Sequence, residues 1–422
     1  MTPSRTLLLK NVNMPGGRVA DIFCENGRVA HCGAGFFADR TIDCTGLLVL
    51  PAAVDLHVHM RGGVQAAKED WNSGSRSALA GGVTVVVDQP NTVPPLTTPE
   101  TFVSRVEEAR MHSLCSFAIN SSVTATTPLA AMWDAGAALF GETFFAPSSY
   151  GDAVDEPELA RALVEIHRLG AVATIHAEEV TPGNDSSLPA HAGLRSGVGE
   201  ARAVRAVTRC NTAGCRLHFC HLSTAESVAA ASGTVEVTPH HLFLSHEMLR
   251  DTDTQGKMNP PLRSEQEREA LWDAWDRIDI IASDHAPHTR GEKAVPFPDA
   301  PSGVPGVETM VPLLLAQVME KKISLTDVIT KTSTNPARIL GIPPAGFHTG
   351  DRADFAIYPK TPVSIKGDLL HSRCGWSPFE GMKAIFPVQV IMGGDIVFDD
   401  GEFFRANPRW IAGKGYRKEK NS

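Results

Sequence analysis

The stretch Asp55-Leu56-His57-Val58-His59-Met60-Arg61 decides how this sequence is interpreted. It closes a candidate β-strand over Leu50–His59. Because successive side chains of a strand point to opposite faces, His57 and His59 project in the same direction. Two neutral imidazoles side by side supply half of the ligands that a zinc ion needs. The pattern therefore predicts a metal site at the end of this strand.

The rest of the chain extends the same architecture around that strand. Short β-branched runs predict seven more strands, at Val83–Gln89, Cys115–Ser121, Leu139–Ala146, Ala171–Ala177, Arg216–Leu222, Thr234–His240 and Ile278–Asp284. Helical patterns separate most of them, at Lys68–Ala80, Pro99–His112, Pro157–Leu169, Glu200–Ala213 and Glu265–Asp276, and two more follow at Val307–Lys321 and Leu325–Leu340. Strands that alternate with helical crossovers in this way predict an α/β fold, a (β/α)8 TIM barrel rather than an open sheet.

The two ends of the chain predict a second, smaller domain. Short alternating segments broken by glycine turns occur before residue 50 and again after residue 350. We therefore expect a β-sandwich domain built from residues 1–49 and 345–422, and a catalytic barrel over residues 50–344.

Three further strand ends carry side chains that bind metals. His176, His221 and Asp284 close the candidate fifth, sixth and eighth strands. Active sites of such barrels lie at the carboxyl ends of the strands, so these groups should converge with His57 and His59. A single histidine would more often be a packed polar residue, whereas the ordered set predicts a metal centre.

The composition argues against several classes of partner. The chain has 422 residues and a formal charge of −9, which disfavours nucleic acid and anionic membranes. The apolar run at residues 7–9 is too short for a signal peptide or a membrane span, so we expect a cytoplasmic protein whose eight cysteines are reduced. Cys210, Cys215 and Cys220 leave a structural zinc site open as an alternative, although they lack the close pairs typical of such sites.

A series of motifs carries the interpretation over nearly the whole chain. They are His57-Val58-His59-Met60-Arg61, Lys68-Glu69-Asp70, Gly81-Gly82-Val83-Thr84, Gln89-Pro90-Asn91-Thr92, Thr238-Pro239-His240-His241-Leu242, Asn259-Pro260-Pro261-Leu262-Arg263, Ser283-Asp284-His285-Ala286-Pro287-His288 and Pro378-Phe379-Glu380-Gly381. With this ordered set the chain resembles the amidohydrolase superfamily and, within it, the dihydroorotases. Those enzymes reversibly hydrolyse the cyclic amide of dihydroorotate to N-carbamoyl-L-aspartate in pyrimidine biosynthesis.

The resemblance implies a metal centre with two zinc ions per chain, one ion being the alternative. His57 and His59 would hold one ion, and His176 and His221 would hold the second. Asp284 would contact the first ion and act as the catalytic proton shuttle. Whether cobalt or manganese replaces zinc in the cell stays open.

The resemblance also implies a binding site for the carboxylate of the substrate. Arg61, Asn91 and His288 would contact that carboxylate, and Asn259 would be a further substrate contact. The chemistry agrees, because an arginine offers a bidentate fork to a carboxylate, while asparagine and histidine supply additional donors.

The fourth strand departs from the family pattern. Many of these enzymes bridge two metals through a carboxylated lysine at that strand, whereas Glu142 stands there in this chain. No lysine occurs between Lys68 and Lys257, which excludes a simple misalignment. A glutamate carries the same charge and the same paired oxygens, so we expect Glu142 to bridge the two zinc ions. The alternative is a single zinc ion beside a glutamate that is either solvated or contacts only the residues that bind the ion.

Several other interpretations stay open. An allantoinase or hydantoinase would share the scaffold, but its substrate lacks the ring carboxylate that Arg61 and Asn91 are expected to bind. A non-catalytic barrel that partners another enzyme of the pyrimidine pathway is a second alternative, and a homo-oligomer is also open. His240 and His241 could contact the site or serve only in packing. Glu178 and Glu179 could orient His176 or face solvent.

Overall fold

The first part of the chain forms strands that lie outside the barrel. The computed structural model describes residues 6–14, 17–145, 153–405 and 407–417. Its first strands are β1 (Thr6–Asn13), β2 (Val19–Glu25), β3 (Arg28–Cys32), β4 (Arg40–Asp43) and β5 (Leu48–Pro51). The first four form one sheet in the order β3-β2-β1-β4. The predicted barrel strand at Leu50–His59 therefore begins too early, because residues 48–51 belong to this outer part.

The barrel itself is confirmed. Within the described residues its strands are β6 (Ala53–Val58), β7 (Val83–Asp88), β8 (Ser116–Ile119), β9 (Phe140–Phe145), β10 (Val172–Ala177), β11 (Arg216–Phe219), β12 (Thr234–Val237) and β13 (Ile280–Ile281). Parallel pairing joins β6-β7-β8 and, separately, β9 to β13 in sequence order. Bridges from Ser121 to Phe140 and from Val58 to His285 connect the two sheets and close the ring. Each strand matches one predicted from the sequence, and Ala146 of the predicted fourth strand lies outside the described residues.

Helices cover the outside of the ring and connect its strands. They are α1 (Trp71–Ala80), α2 (Pro99–His112), α3 (Leu129–Ala135), α4 (Glu156–Leu169), α5 (Leu188–Leu194), α6 (Gly197–Cys210), α7 (Ala225–Ala230), α8 (Pro239–Phe243), α9 (Glu265–Asp273), α10 (Arg290–Lys293), α11 (Met310–Met319), α12 (Leu325–Ile329) and α13 (Asn335–Leu340). A π-helical turn at Thr330–Thr334 joins the last two. In the described part of the chain, no helix is both long and apolar enough to cross a membrane.

Local signals explain where these helices begin and where the predictions were wrong. Thr98 caps α2 and Pro99 occupies its first position, so this helix was predicted with its observed bounds. Asp70 caps α1, which therefore starts at Trp71 rather than at Lys68. Pro239 opens α8, so the seventh strand ends at Val237 and His240 lies on a helix rather than on a strand.

The C-terminal segment returns to the outer strands of the N-terminus. It contains β14 (Phe355–Tyr358), β15 (Val363–Ser364), β16 (Lys383–Ala384), β17 (Gln389–Met392), β18 (Asp395–Asp399) and β19 (Glu402–Phe403). Antiparallel pairing of β14 with β5 gives a sheet with strands from both ends of the chain, in the order β19-β18-β17-β14-β5. Leu9, Ile22, Phe355 and Ile391 form a buried cluster between this sheet and the first one. A small β-sandwich is thus built from both ends of the chain. The domain boundaries at 49/50 and 344/345 stay a prediction. Residues 418–422 lie outside the described residues.

Candidate active site

The ends of β6 and β13 bring together three side chains that could bind a metal ion. The His59 Nε2 atom lies 3.0 Å from the Asp284 Oδ1 atom, and the His57 Nε2 atom lies 3.6 Å from the same oxygen. All three side chains are buried, and their ligand atoms lie within 4.8 Å of one another. Asp55 holds the two strands in register, because its Oδ1 atom accepts the backbone N–H groups of His57 and Ser283, both at 3.1 Å.

Glu142, on β9, lies between the two histidine pairs. Its Oε1 atom is 2.9 Å from His176 Nδ1 and 2.7 Å from His221 Nε2, while its Oε2 atom is 3.5 Å from His57 Nε2. The residue is only 6% exposed, so it is not a solvated side chain. One carboxylate oxygen therefore faces the histidines of the fifth and sixth strands, and the other faces the first strand.

The electrostatics of this cluster suit a cation. Burial would lower the pKa of His57, but Glu236 and Glu142 outweigh that effect and raise the pKa well above its usual value. Burial would raise the pKa of Glu142, whereas His57, His176 and His221 together lower it well below its usual range. The buried carboxylates thus stay ionised and stabilise positive charge beside them. A divalent cation meets the same need, because carboxylates and imidazoles bind metals in their deprotonated forms.

Backbone strain coincides with the site. Arg61, His221 and Asp284 adopt positive φ angles of 48°, 35° and 43°. Such conformations cost about 1–3 kcal/mol each in non-glycine residues and persist where the surrounding structure fixes them. The backbone conformation at the ends of the strands therefore fixes the directions of these three side chains.

Glu236 is a buried partner of the cluster that the sequence interpretation missed. Its Oε1 atom lies 3.0 Å from His57 Nδ1 and accepts the backbone N–H of His221 at 3.1 Å, and its Oε2 atom lies 3.0 Å from His218 Nε2. Contacts of this kind orient a metal-binding imidazole through its second nitrogen. The available signal was a glutamate within the apolar run of the seventh strand, Val235-Glu236-Val237.

Glu178 has the same relation to the histidine of the fifth strand. Its Oε2 atom lies 2.7 Å from His176 Nε2, and the Arg195 guanidinium binds the same carboxylate. Burial would raise the pKa of Glu178, but Arg195 and His176 lower it to about 2. The residue is buried, so of its two expected roles only the contact with His176 agrees with the structure.

The cysteines contribute little to this region. Cys220 lies close to His57 and Glu236, and burial raises the pKa of its thiol to about 12. Cys210 and Cys215 join no group of potential metal ligands among the described residues, which disfavours the structural zinc site.

The expected substrate residues line the same end of the barrel. The Asn91 Oδ1 atom accepts a hydrogen bond from His59 Nδ1 at 2.7 Å. His288 is fully buried, and its Nε2 atom donates to the carbonyl oxygen of Ser302 at 3.0 Å. The Asn259 Oδ1 atom accepts a hydrogen bond from the Ser302 hydroxyl at 3.2 Å, so Ser302 links Asn259 to His288. Arg61 is buried and close enough to contribute to lowering the pKa of His288, an effect in which burial is the largest cause.

The fold and this cluster define a class of hydrolase, and comparison with known proteins agrees. The profile of the Amidohydrolase family matches residues 48–397, so the chain belongs to the amidohydrolase family. Relatives of known function indicate a particular family within the amidohydrolases. A dihydroorotase of Methanosarcina acetivorans is 40% identical over 96% of this chain and 94% of its own length. A dihydroorotase of Halobacterium salinarum is 41% identical over 93% of this chain and 96% of its own length. Within the amidohydrolases, the chain is a member of the dihydroorotase family.

Solved structures agree at the level of the fold. The L-hydantoinase of Arthrobacter aurescens superposes with a TM-score of 0.84 at 26% identity, covering 94% of this chain and 97% of its own. A D-hydantoinase superposes with a TM-score of 0.87 at 22% identity, covering 98% of this chain and 100% of its own, which bears on the fold alone. The barrel with its terminal β-sandwich is thus shared with other cyclic amidohydrolases.

Proposed function

We propose that this protein catalyses the reversible hydrolysis of dihydroorotate to N-carbamoyl-L-aspartate. The observation that carries the proposal is the convergence of His57, His176 and His221 on the buried Glu142 carboxylate. Asp284 lies beside His57 and His59. The dihydroorotases among its relatives support this substrate. A small-molecule reactant is consistent with the dihydroorotase family.

The metal centre is proposed to hold two zinc ions. His57, His59 and Asp284 would hold one, His176 and His221 would hold the other, and Glu142 would contact both in place of a carboxylated lysine. The residues fit such a centre, because imidazole and carboxylate groups are zinc ligands and these are buried and mutually oriented. When bound, zinc makes water nucleophilic near neutral pH and polarises the amide carbonyl.

Asp284 is proposed to move the proton. Its carboxylate lies at the edge of the cluster, and burial, which would raise its pKa, is outweighed by His59, His57 and His221, which lower it. The group is therefore ionised near neutral pH and able to accept the proton of the attacking water. It would return that proton to the ring nitrogen as the amide bond breaks, and the steps would run backwards in ring closure.

The position of Arg61 favours a substrate that carries a carboxylate. Arg61 lies two residues after His59 and close to His288, and hydantoin and allantoin lack the carboxylate that it would bind. A non-catalytic scaffold would have no use for the six proposed ligand side chains. We also propose, from the sequence alone, a cytoplasmic location. Association with a second copy or with another enzyme of the pathway is a further proposal that rests on the sequence alone.

The test is turnover by purified, metal-replete protein. We expect conversion of dihydroorotate and of N-carbamoyl-L-aspartate, loss of both activities on chelation, and recovery with zinc. Asp284→Asn serves as the control for a trace contaminant, because it should abolish turnover. Turnover of hydantoin or allantoin without turnover of dihydroorotate would overturn the proposal.

A further inference from the structure

Lys68 belongs to the Lys68-Glu69-Asp70 motif, to which the proposed function gives no role. It lies in the loop between β6 and α1. Its Nζ atom is 3.3 Å from the His288 Nδ1 atom and 2.9 Å from the Glu292 Oε1 atom, and its side chain is 16% exposed. The ammonium group thus lies at the substrate end of the barrel, in direct contact with a residue expected to bind the carboxylate.

The hydrogen bonds of His288 fix its tautomer. The carbonyl oxygen of Ser302 can only accept, so the nearby Nε2 atom must carry a proton. In a neutral ring the Nδ1 atom is then an acceptor, and the Lys68 ammonium donates to it. Burial, together with the positive charges of Arg61 and Lys68, lowers the pKa of His288, which keeps the ring neutral. Both ring nitrogens are therefore engaged, and neither offers a proton to a substrate carboxylate.

Lys68, in contrast, has a donor to spare. An ammonium group has three protons, and the two neighbours of Lys68 accept two of them. The position of the loop is well defined, because the adjacent Glu69 is fully buried and accepts hydrogen bonds from the Ser372 hydroxyl and from His285 Nε2, the latter at 3.3 Å. The contacts of Glu69 thus fix the loop that carries the Lys68 ammonium group.

We infer that Lys68 is a substrate-binding residue, which donates to the carboxylate of the substrate together with Arg61 and uses His288 as its support. The inference rests on the proposed function, since it assumes a substrate that carries a carboxylate. It assigns His288 the task of orienting the ammonium group rather than that of a direct donor. The rival explanation is purely structural: Lys68 would only tie the loop to Glu292.

The decisive experiment compares Lys68→Met with Glu292→Gln. Loss of a charge-assisted hydrogen bond should raise KM for dihydroorotate by about 10- to 100-fold in Lys68→Met, with a smaller effect on kcat. Glu292→Gln removes the partner charge but leaves the ammonium group, so KM should stay equal or fall. Lys68→Arg, which keeps the charge, should recover most of the affinity. Metal content and melting temperature should be unchanged in all three, and Lys322→Met, at an exposed lysine, is the surface control.

The outcomes separate the two proposals. If the parent protein does not turn over dihydroorotate, the proposed function fails before any variant is compared. If the parent is active and Lys68→Met keeps its KM, the inference about Lys68 is wrong while the function stands. Equal defects in Lys68→Met and Glu292→Gln, or loss of metal from Lys68→Met, would assign Lys68 to structure and overturn the inference as well.

Discussion

At the scale of single residues, the length of Glu142 bears on the proposed metal centre. A glutamate reaches less far than a carboxylated lysine by about three bonds of ~1.5 Å each. The structure accommodates this difference, since the Glu142 Oε1 atom is within 3 Å of both His176 Nδ1 and His221 Nε2. Its Oε2 atom is farther from His57 Nε2, at 3.5 Å. The contact with the fifth- and sixth-strand pair is therefore the closer of the two.

Metal content should respond to Glu142 accordingly. We expect Glu142→Ala to lose at least one of two metal equivalents per chain, because the fifth- and sixth-strand histidines would lose their shared carboxylate. Elemental analysis after dialysis measures this directly. Glu179→Ala, at a half-exposed glutamate paired with Arg202, is the matched control and should keep both equivalents. A single equivalent in the parent protein, unchanged in Glu142→Ala, would contradict the bridging assignment.

Glu236 should affect metal affinity without being one of the expected ligands of the two-metal centre. Its carboxylate contacts His57 Nδ1 and the backbone N–H of His221, so it contacts one expected ligand on each side of the proposed centre. Glu236→Gln should weaken metal binding by about 10- to 100-fold, as removal of such supporting groups commonly does. Competition with a chelator of known affinity checks this, with the exposed Glu226→Gln as control. An unchanged metal affinity would mean that the contact is dispensable.

The convergence of the histidines and Asp284 at one end of the barrel could be predicted from the sequence, whereas the groups that contact them could not. The convergence follows from position, because the carboxyl ends of barrel strands meet at one rim. Glu236 and His57 are 179 residues apart, and which face of a short strand a glutamate occupies depends on a register that the sequence alone does not fix. The contact of Lys68 with His288 spans 220 residues and joins two loops, which carry no periodic signal.

At the scale of elements, the strands were predicted better than the short helices. The clearest barrel strand carries a dense β-branched run, Val83-Thr84-Val85-Val86-Val87, which has few other interpretations. Helices α3, α5, α7 and α8 were not predicted, because each spans only five to seven residues and too few turns for an amphipathic pattern. Of these helices, α5 and α8 follow the carboxyl ends of β10 and β12, whereas α3 and α7 connect barrel strands and pack on neighbouring helices.

One such short element, α10, gives a prediction about pH. Lys293 on α10 donates from its Nζ atom to the carbonyl oxygens of Lys257 and Pro301, at 3.0 and 2.7 Å. Burial, with a smaller effect of the charge on Lys257, lowers its pKa from 10.5 to about 7. Above pH 7 the folded protein has released this proton, while the unfolded chain still holds it. The free energy of unfolding of the parent, relative to Lys293→Met, should therefore rise with pH by up to about 1.4 kcal/mol per unit between pH 7.5 and about 9.5.

Urea titrations of both proteins from pH 6 to 9.5 measure this difference. Taking the difference between two proteins with the same metal ligands removes most of the pH dependence of the metal site itself. Below pH 7 the lysine is charged in both states, so the difference should become constant there. A difference that stays flat over the whole range would show that Lys293 keeps an ordinary pKa in the folded protein.

At the scale of the whole molecule, the C-terminal segment has two tasks. Its strands β14 and β17–β19 complete the sandwich, as the sequence indicated. The residues between β14 and β17 instead pack on the barrel. The Ser372 hydroxyl contacts Glu69, and the backbone N–H of Ile385 donates to the carbonyl oxygen of Pro312. The Trp376 indole contacts the backbone of His288. The motif Pro378-Phe379-Glu380-Gly381 was recognised in the sequence, but its place beside the barrel depends on long-range packing that no local pattern encodes.

Trp376 tests this connection between the terminal segment and the substrate site. Its indole N–H donates to the carbonyl oxygen of His288 at 2.8 Å, and the side chain is almost fully buried. Trp376→Phe keeps most of the apolar packing but leaves that carbonyl oxygen without its donor, which should cost about 1–3 kcal/mol of stability. Because His288 orients Lys68 in our proposal, KM for dihydroorotate should rise as well, with metal content unchanged.

The matched control for this variant is Trp410→Phe. The indole nitrogen of Trp410 is buried without a hydrogen-bond partner among the described residues, so its loss removes no hydrogen bond. Trp410 contacts Arg110 and Tyr416 rather than any site residue. Urea unfolding and steady-state kinetics on both variants separate the two effects, since Trp410→Phe should leave KM as it is and cost less stability. Equal KM values in Trp376→Phe and the parent would mean that the terminal segment supports the fold of the barrel without influencing how the substrate is held.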